Sequence, residues 1–271
     1  MIGLLRADWR KLIHRWMPRI LLLILVALIA LIFFGISSRD RNRPDLVLPD
    51  GLVAALSLGA GFAAFLWPVL AGSWSGGEYG WGTVRLVLAR RPSRIEFALS
   101  GLTMVLLTIG FGLCLILIAG SIGGSLVAAA TSASTPTSNG ASAGEVVTKL
   151  FFATWYTSAF YAVLAYAAGA IFRSAPAGIG IGIGFSVAQS AVSAIFMALG
   201  DPWKSIALHF PNAYTTALTS RLAHELMTSG PIGRVETDSP SITASIIGLA
   251  VYFAVILGGM LVVVQRRDVT T

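Results

Sequence analysis

Between Ile20 and Ile36 the chain reads ILLLILVALIALIFFGI, a run without one charged or hydrogen-bonding side chain. Inside a bilayer the backbone amides of such a run can be satisfied only within a helix or a closed barrel. A helix needs about 20 apolar residues to cross. Five further stretches of the same character follow, at 51–74, 97–130, 147–172, 177–199 and 244–264. This spacing predicts an all-α integral membrane protein with six crossings in a single domain. The composition, 56% hydrophobic and 11% charged over 271 residues, excludes an ordinary soluble domain, in which about 25% of residues are charged. Two of the stretches carry local signals. Pro68 predicts a kink in the second. The third, at 1.5 Å per residue, would reach about 50 Å, so it is expected to tilt or to break near Gly120, Gly123 and Gly124, leaving a crossing of about 97–120.

Ahead of the first crossing, Leu5, Trp9, Leu12, Ile13 and Trp16 recur at helical spacing, with Arg6, Arg10, Lys11, His14 and Arg15 on the other side. That pattern predicts an amphipathic helix over 4–17 lying in the membrane interface, its tryptophans at headgroup depth. Phe33-Phe34-Gly35-Ile36 is a poor cleavage site, so the first crossing reads as an uncleaved anchor. The net charge of +7 flanks apolar runs instead of forming one stripe, which argues for membrane orientation and against nucleic acid. Residues 131–144, rich in Ser, Thr, Ala and Gly, read as a flexible loop. Arg173-Ser174-Ala175-Pro176 reads as a tight turn. The interval 200–243 reads as an outer loop with a helix near 213–227.

The segment Gly76–Glu96 stands between the second and third crossings and holds 4 of the 19 Lys and Arg residues. Val84, Val87 and Leu88 would line one face of a short helix. Gly80 and Gly82 precede it, Pro92 ends it, and Glu78 sits just upstream, where a negative charge favours a helix N-terminus. The segment reads either as an ordinary positive loop or as a surface gripped by another protein. With six crossings, both termini share a side with this loop. That side collects 12 Lys and Arg residues against 7 on the other, so loop and termini are expected to be cytoplasmic.

Catalytic signatures are missing. No GxxxxGK[ST] phosphate loop occurs, nor a GxSxG turn. His224-Glu225-Leu226-Met227-Thr228 has Thr where a zinc protease needs its second histidine. His14 and His209 have no partners at ligand spacing, so no metal site is expected. Cys114 is alone in the chain and reads as a packing residue. Gly178, Gly180, Gly182 and Gly184 fall inside the fifth crossing and read as a helix-packing face, with a dimer or pore-lining face as the alternative. No Asp, Glu, Lys, Arg or His occupies the centre of any crossing. Ion-coupled carriers usually need such groups, so the energy for any transport is expected from a partner outside the bilayer.

The run Glu78-Tyr-Gly-Trp-Gly82-Thr83-Val-Arg85-Leu-Val-Leu88-Ala-Arg-Arg91-Pro92-Ser93-Arg94 resembles the first cytoplasmic loop of ABC transporter permeases of the type-2 export family. The amphipathic start, the six crossings, the long interval before the sixth and the Arg266-Arg267-Asp268 ending are similar too. Two positions depart: Ser100-Gly101 stand where a lysine is often found, and Val87 replaces a leucine. The resemblance implies a permease in the cell membrane (a prokaryotic inner or plasma membrane), paired with a second permease chain as a homodimer and with two copies of an ATP-binding subunit. ATP and Mg2+ belong to that partner, and this chain holds no cofactor and is not itself an enzyme. Carried over by position, Glu78 braces the second crossing against the first helix, Gly82 and Thr83 begin a coupling helix, and Arg85, Leu88 and Arg91 touch the ATPase. The second and fifth crossings line a path with Phe62, Phe65, Gln189 and Ser193. An amphipathic or hydrophobic cargo (an antibiotic, peptide or lipid) moving outward fits this reading. A membrane scaffold or sensor that recruits a cytosolic partner through 76–96 is the alternative.

Overall fold

The computed structural model describes residues 2–39, 46–80, 94–130, 143–226 and 239–266, and all of its regular structure there is helical. The helices are α1 (Ile2–His14), α2 (Trp16–Arg39), α3 (Asp50–Gly80), α4 (Arg94–Ala130), α5 (Ala143–Phe172), α6 (Ala175–Leu199), α7 (Trp203–Ala207), α8 (Pro211–Leu226) and α9 (Ile242–Arg266). Six of them, α2 to α6 and α9, are long and apolar enough to cross a membrane. The number of crossings therefore agrees with the sequence reading, and α8 falls where a helix was expected in the interval before the last crossing.

Burial ranks the helices. In α5, 72% of the apolar stretch is buried, against 11% in α9, so α5 is the axis of the bundle and α9 lies on its rim. The long α3 packs along α5 and also touches α2, α4 and α6. Such close packing needs small residues, because apolar burial drives little association between helices already in lipid. A Cβ at Gly72 of α3 would stand 2.5 Å from the backbone nitrogen of Ile179, and one at Gly178 of α6 would stand 2.8 Å from the Cα of Gly72. Gly182 meets Ala165 and Pro68 in the same way.

Several expectations are revised. The four glycines of α6 do not act together: Gly178 and Gly182 are the packed pair, while a Cβ at Gly180 or Gly184 would meet nothing within 4 Å. Residues two apart lie on opposite sides of a helix and residues four apart on the same side. The third crossing does not break at its glycines, since α4 runs unbroken for 37 residues. Gly120, Gly123 and Gly124 instead admit Ala55, Phe33 and the Leu46–Leu48 segment against the helix. Cys114 is exposed. It lies on the same outward stripe of α4 as Leu107, Phe111 and Ile118, and is no packing residue. Pro68 sits inside α3, which continues past it to Gly80. The second crossing was expected to end at Trp74. The extra turns persist because Gly76 lets α3 pass against Ser174 and Ala175, in the turn between α5 and α6.

That turn is built as the residues suggest. Arg173 ends α5 at φ 53°, a left-handed conformation that usually falls to glycine. The amide of Ser174 then donates to the carbonyl of Gly169 at 3.2 Å. Ser174 caps α6 by accepting from the amide of Ala177, and Pro176 occupies its first turn.

Candidate functional site

Two ion pairs between residues more than 60 positions apart gather at the end of the bundle where α1 meets the last turn of α3. Along α1, Asp8, Lys11 and Leu12 fall on one stripe (i, i+3, i+4) that faces the bundle, and Arg15, at the break between α1 and α2, continues it. Asp8 is buried, and Leu12 packs against the core. Trp9, Ile13 and Trp16 are exposed beside it, at the flank where an interfacial helix would meet headgroups. The polar side of α1 is therefore divided. Arg6, Arg10 and His14 remain exposed, whereas Lys11 and Arg15, expected there as well, turn inward.

Their partner is Glu78, only 3% exposed. Its Oε1 accepts from Arg15 Nη2 at 2.7 Å and its Oε2 from Lys11 Nζ at 3.3 Å. Lys11 also lies 3.4 Å from Asp8 Oδ1, and the buried Ser100 of α4 donates its hydroxyl to Asp8 Oδ2 at 2.7 Å. Two carboxylates and two cations thus make one network tying α1 to α3 and α4. Its electrostatic logic follows from position. Glu78 occupies the C-terminal turn of α3, where exposed carbonyls already make the helix end negative, and burial removes the water that would solvate its charge. It is therefore stable there only with cations from another helix. The guanidinium of Arg15 also lies over the Trp74 ring, 4.9 Å from its centre. Beside the network, Tyr166 of α5 donates to the Ala98 carbonyl at 2.9 Å, and the guanidinium of Arg173 lies 5.9 Å from the centre of the Tyr79 ring.

Glu78 is the one sequence-predicted coupling residue within this network. Gly82, Thr83, Arg85, Leu88 and Arg91 lie outside the described residues. Asp8 and Ser100 were missed. Asp8 carried a legible signal: it is the only acidic residue before Asp40 and shares its helical stripe with Lys11 and Arg15.

The residues assigned to a path along α3 and α6 differ in their surroundings. Phe62 is half-buried against the main core, and Phe65 is 45% exposed. Gln189 is buried and donates from Nε2 to the Tyr161 hydroxyl at 3.1 Å. Ser193 is half-buried. Phe65 and Tyr161 border one open cavity of about 500 Å³ between α3, α5, α6 and α8. Ser57, another of its lining residues, is 21 positions before Glu78 on α3, roughly 31 Å along the helix, so this cavity lies towards the other end of the bundle.

No curated protein and no solved structure matches the chain. A family model described as a protein of unknown function (DUF2705) matches residues 50–270, from the first residue of α3 past the end of α9. That span is most of the chain and includes five of its six membrane-length helices. The chain is thus a multi-pass membrane protein, and it belongs to the DUF2705 family.

Proposed function

We propose that this protein is the membrane-spanning permease subunit of an ATP-driven ABC transporter, driven by a separate ATPase that docks on residues 76–96. The observation that carries the reading is the double ion pair on Glu78. It pins the interfacial helix α1 to the last turn of α3, directly before the segment that resembles a coupling helix. A displacement applied to 81–93 would then move α1 and α3 as one piece. Ser100, which stands where a lysine is often found in such permeases, is a departure from the resemblance, and here its hydroxyl bonds Asp8. The centres of the crossings hold no charged side chain that could couple transport to an ion gradient. On this reading Arg85, Leu88 and Arg91 contact the ATPase, and ATP and Mg2+ stay in that partner. Two copies of this chain pair, and closure of two ATPase subunits switches them between inward- and outward-facing arrangements. The switch goes only as far as the ATPase binds the two arrangements with different affinity.

The test is co-purification of the full chain with a Walker-motif ATPase encoded beside it, in lipid nanodiscs. ATPase held by the wild type and lost in Arg85→Glu supports the reading. A wild type that retains no ATPase in nanodiscs or in several detergents overturns it and leaves the chain as a scaffold or sensor.

A further inference from the structure

The cavity between α3, α5, α6 and α8 is built with a consistent chemistry. Each helix contributes residues at helical spacing. On α8 they are Asn212, Thr215, Thr216 and Thr219, and on α6 Ser186 and Ser190. Thr157 and Tyr161 face it from α5, and Ser57 from α3. None of its described lining residues is Asp, Glu, Lys, Arg or His. Its volume of about 500 Å³ is within the range of small-molecule sites.

Four of the hydroxyl protons are committed to carbonyls of their own helices. Thr157 donates to the Thr154 carbonyl at 3.1 Å, Ser190 to Ser186 at 2.9 Å, Thr215 to Asn212 at 3.0 Å and Thr219 to Thr215 at 3.0 Å. Because the Thr215 proton points to its own helix, the Tyr161 hydroxyl, 3.4 Å away, is the donor in that contact. Tyr161 in turn accepts from Gln189. Donation therefore runs one way, from α6 through α5 to α8. What the walls have left to offer is the lone pairs of these hydroxyls together with the Ser57 hydroxyl and the Asn212 amide. On the wall, the buried Ser57 Oγ has no hydrogen-bond partner among the described residues. A buried polar atom without a partner is costly, and a wall of hydroxyls and amides is complemented by a ligand that both donates and accepts several hydrogen bonds.

A cation would also bring donors, but burying one in the bilayer without a carboxylate carries a large desolvation penalty. The complement is an uncharged group with several hydroxyls. At the cavity edge Phe65 and Val187 are 45% and 52% exposed, an apolar exit for a hydrocarbon tail. We infer that this cavity binds the uncharged polyhydroxylated head of an amphiphile, its tail leaving past Phe65 and Val187. The inference stands apart from the transport reading, and would hold equally for a scaffold.

The test uses the full chain in phosphatidylcholine nanodiscs doped with monoglucosyl diacylglycerol, with lipid retention counted by native mass spectrometry. Wild type should retain the glucolipid over phosphatidylcholine, whose head donates no hydrogen bond. Ser57→Ala with Ser190→Ala, two small changes that delete one acceptor each, should weaken retention about thirtyfold at roughly 1 kcal/mol per lost bond. No preference for the glucolipid in wild type overturns the inference outright, whatever the variants do. So does preferential retention of dodecyltrimethylammonium, which would mark a cation site, or displacement of the glucolipid by free maltose alone, which would mark a soluble polyol as the occupant. Undiminished retention in a folded double variant likewise overturns it.

Discussion

Replacing Glu78 by glutamine keeps the shape of the side chain and removes its charge, taking the carboxylate from the 2.7 Å contact with Arg15 and from the contact with Lys11. The Glu78 side chain is 5% exposed, and those of Lys11 and Arg15 are 30% and 22% exposed. Removing one partner of a fully buried pair costs 3–5 kcal/mol, whereas an exposed pair is worth under about 1. The two cations keep a quarter or so of their access to water, so Glu78→Gln should cost about 2 kcal/mol. Arg15→Gln should cost a similar amount, because it removes the 2.7 Å bond and the contact over Trp74. The informative quantity is the coupling. In a double-mutant cycle, Glu78→Gln and Arg15→Gln should be less than additive by about 1–2 kcal/mol. Folding equilibria of the four proteins, measured by steric trapping in lipid bicelles, give that number. Raising the salt should change it little, because a partly buried pair is poorly screened. Additivity within about 0.3 kcal/mol would refute the argument that this network pins α1 to α3. The exposed pair Glu145–Lys149 serves as the control, and Lys149→Gln should leave the midpoint unmoved.

Gly72→Ala should destabilise by about 1–3 kcal/mol, as overpacking does, because its new methyl meets the α6 backbone. Gly180→Ala should be neutral or stabilising, and comparable effects at both positions would contradict the packing described for α6. Tyr166→Phe should cost about 1 kcal/mol in the same folding assay by deleting the bond to the Ala98 carbonyl. A spin label on Cys114, the sole cysteine, should relax readily with oxygen and poorly with a water-soluble nickel chelate in a bilayer. The reverse would turn that face of α4 towards water. A fluorescent protein fused after Thr271 should light up in the cytoplasm if the charge asymmetry of the loops sets the orientation, and a dark, translocated fusion would reverse the topology.

The helical class and the number of crossings were legible because lipid leaves the backbone so few solutions, and an apolar run of bilayer length is itself the signal. Half of the polar site was legible as well. Glu78 stood out as an acid at the edge of an apolar run, and Lys11 and Arg15 as part of a basic helix. Their pairing was not, since it joins residues more than 60 positions apart, and periodicity along one helix says which residues share a face but not which neighbour that face meets. Asp8 shows the same limit. Its stripe could be read, yet its bond to Ser100 depends on where α4 begins to run beside α1.

The glycines draw the line most clearly. GIGIGIG along α6 announces close packing, and the helical period divides it into two sets of alternate residues. Only the arrangement of α3 against α6 decided that Gly178 and Gly182 are the ones in contact. The hydroxyl cavity goes further beyond the sequence, because its serines and threonines come from four helices and in isolation each reads as a residue bonded to its own backbone. Local physics, the need to satisfy amides in lipid and to turn one face to a partner, determined the helices, their number and the interfacial start. Which faces meet, which charges are shared and where the bundle stays open are relations between helices, and only their packing in three dimensions settled them.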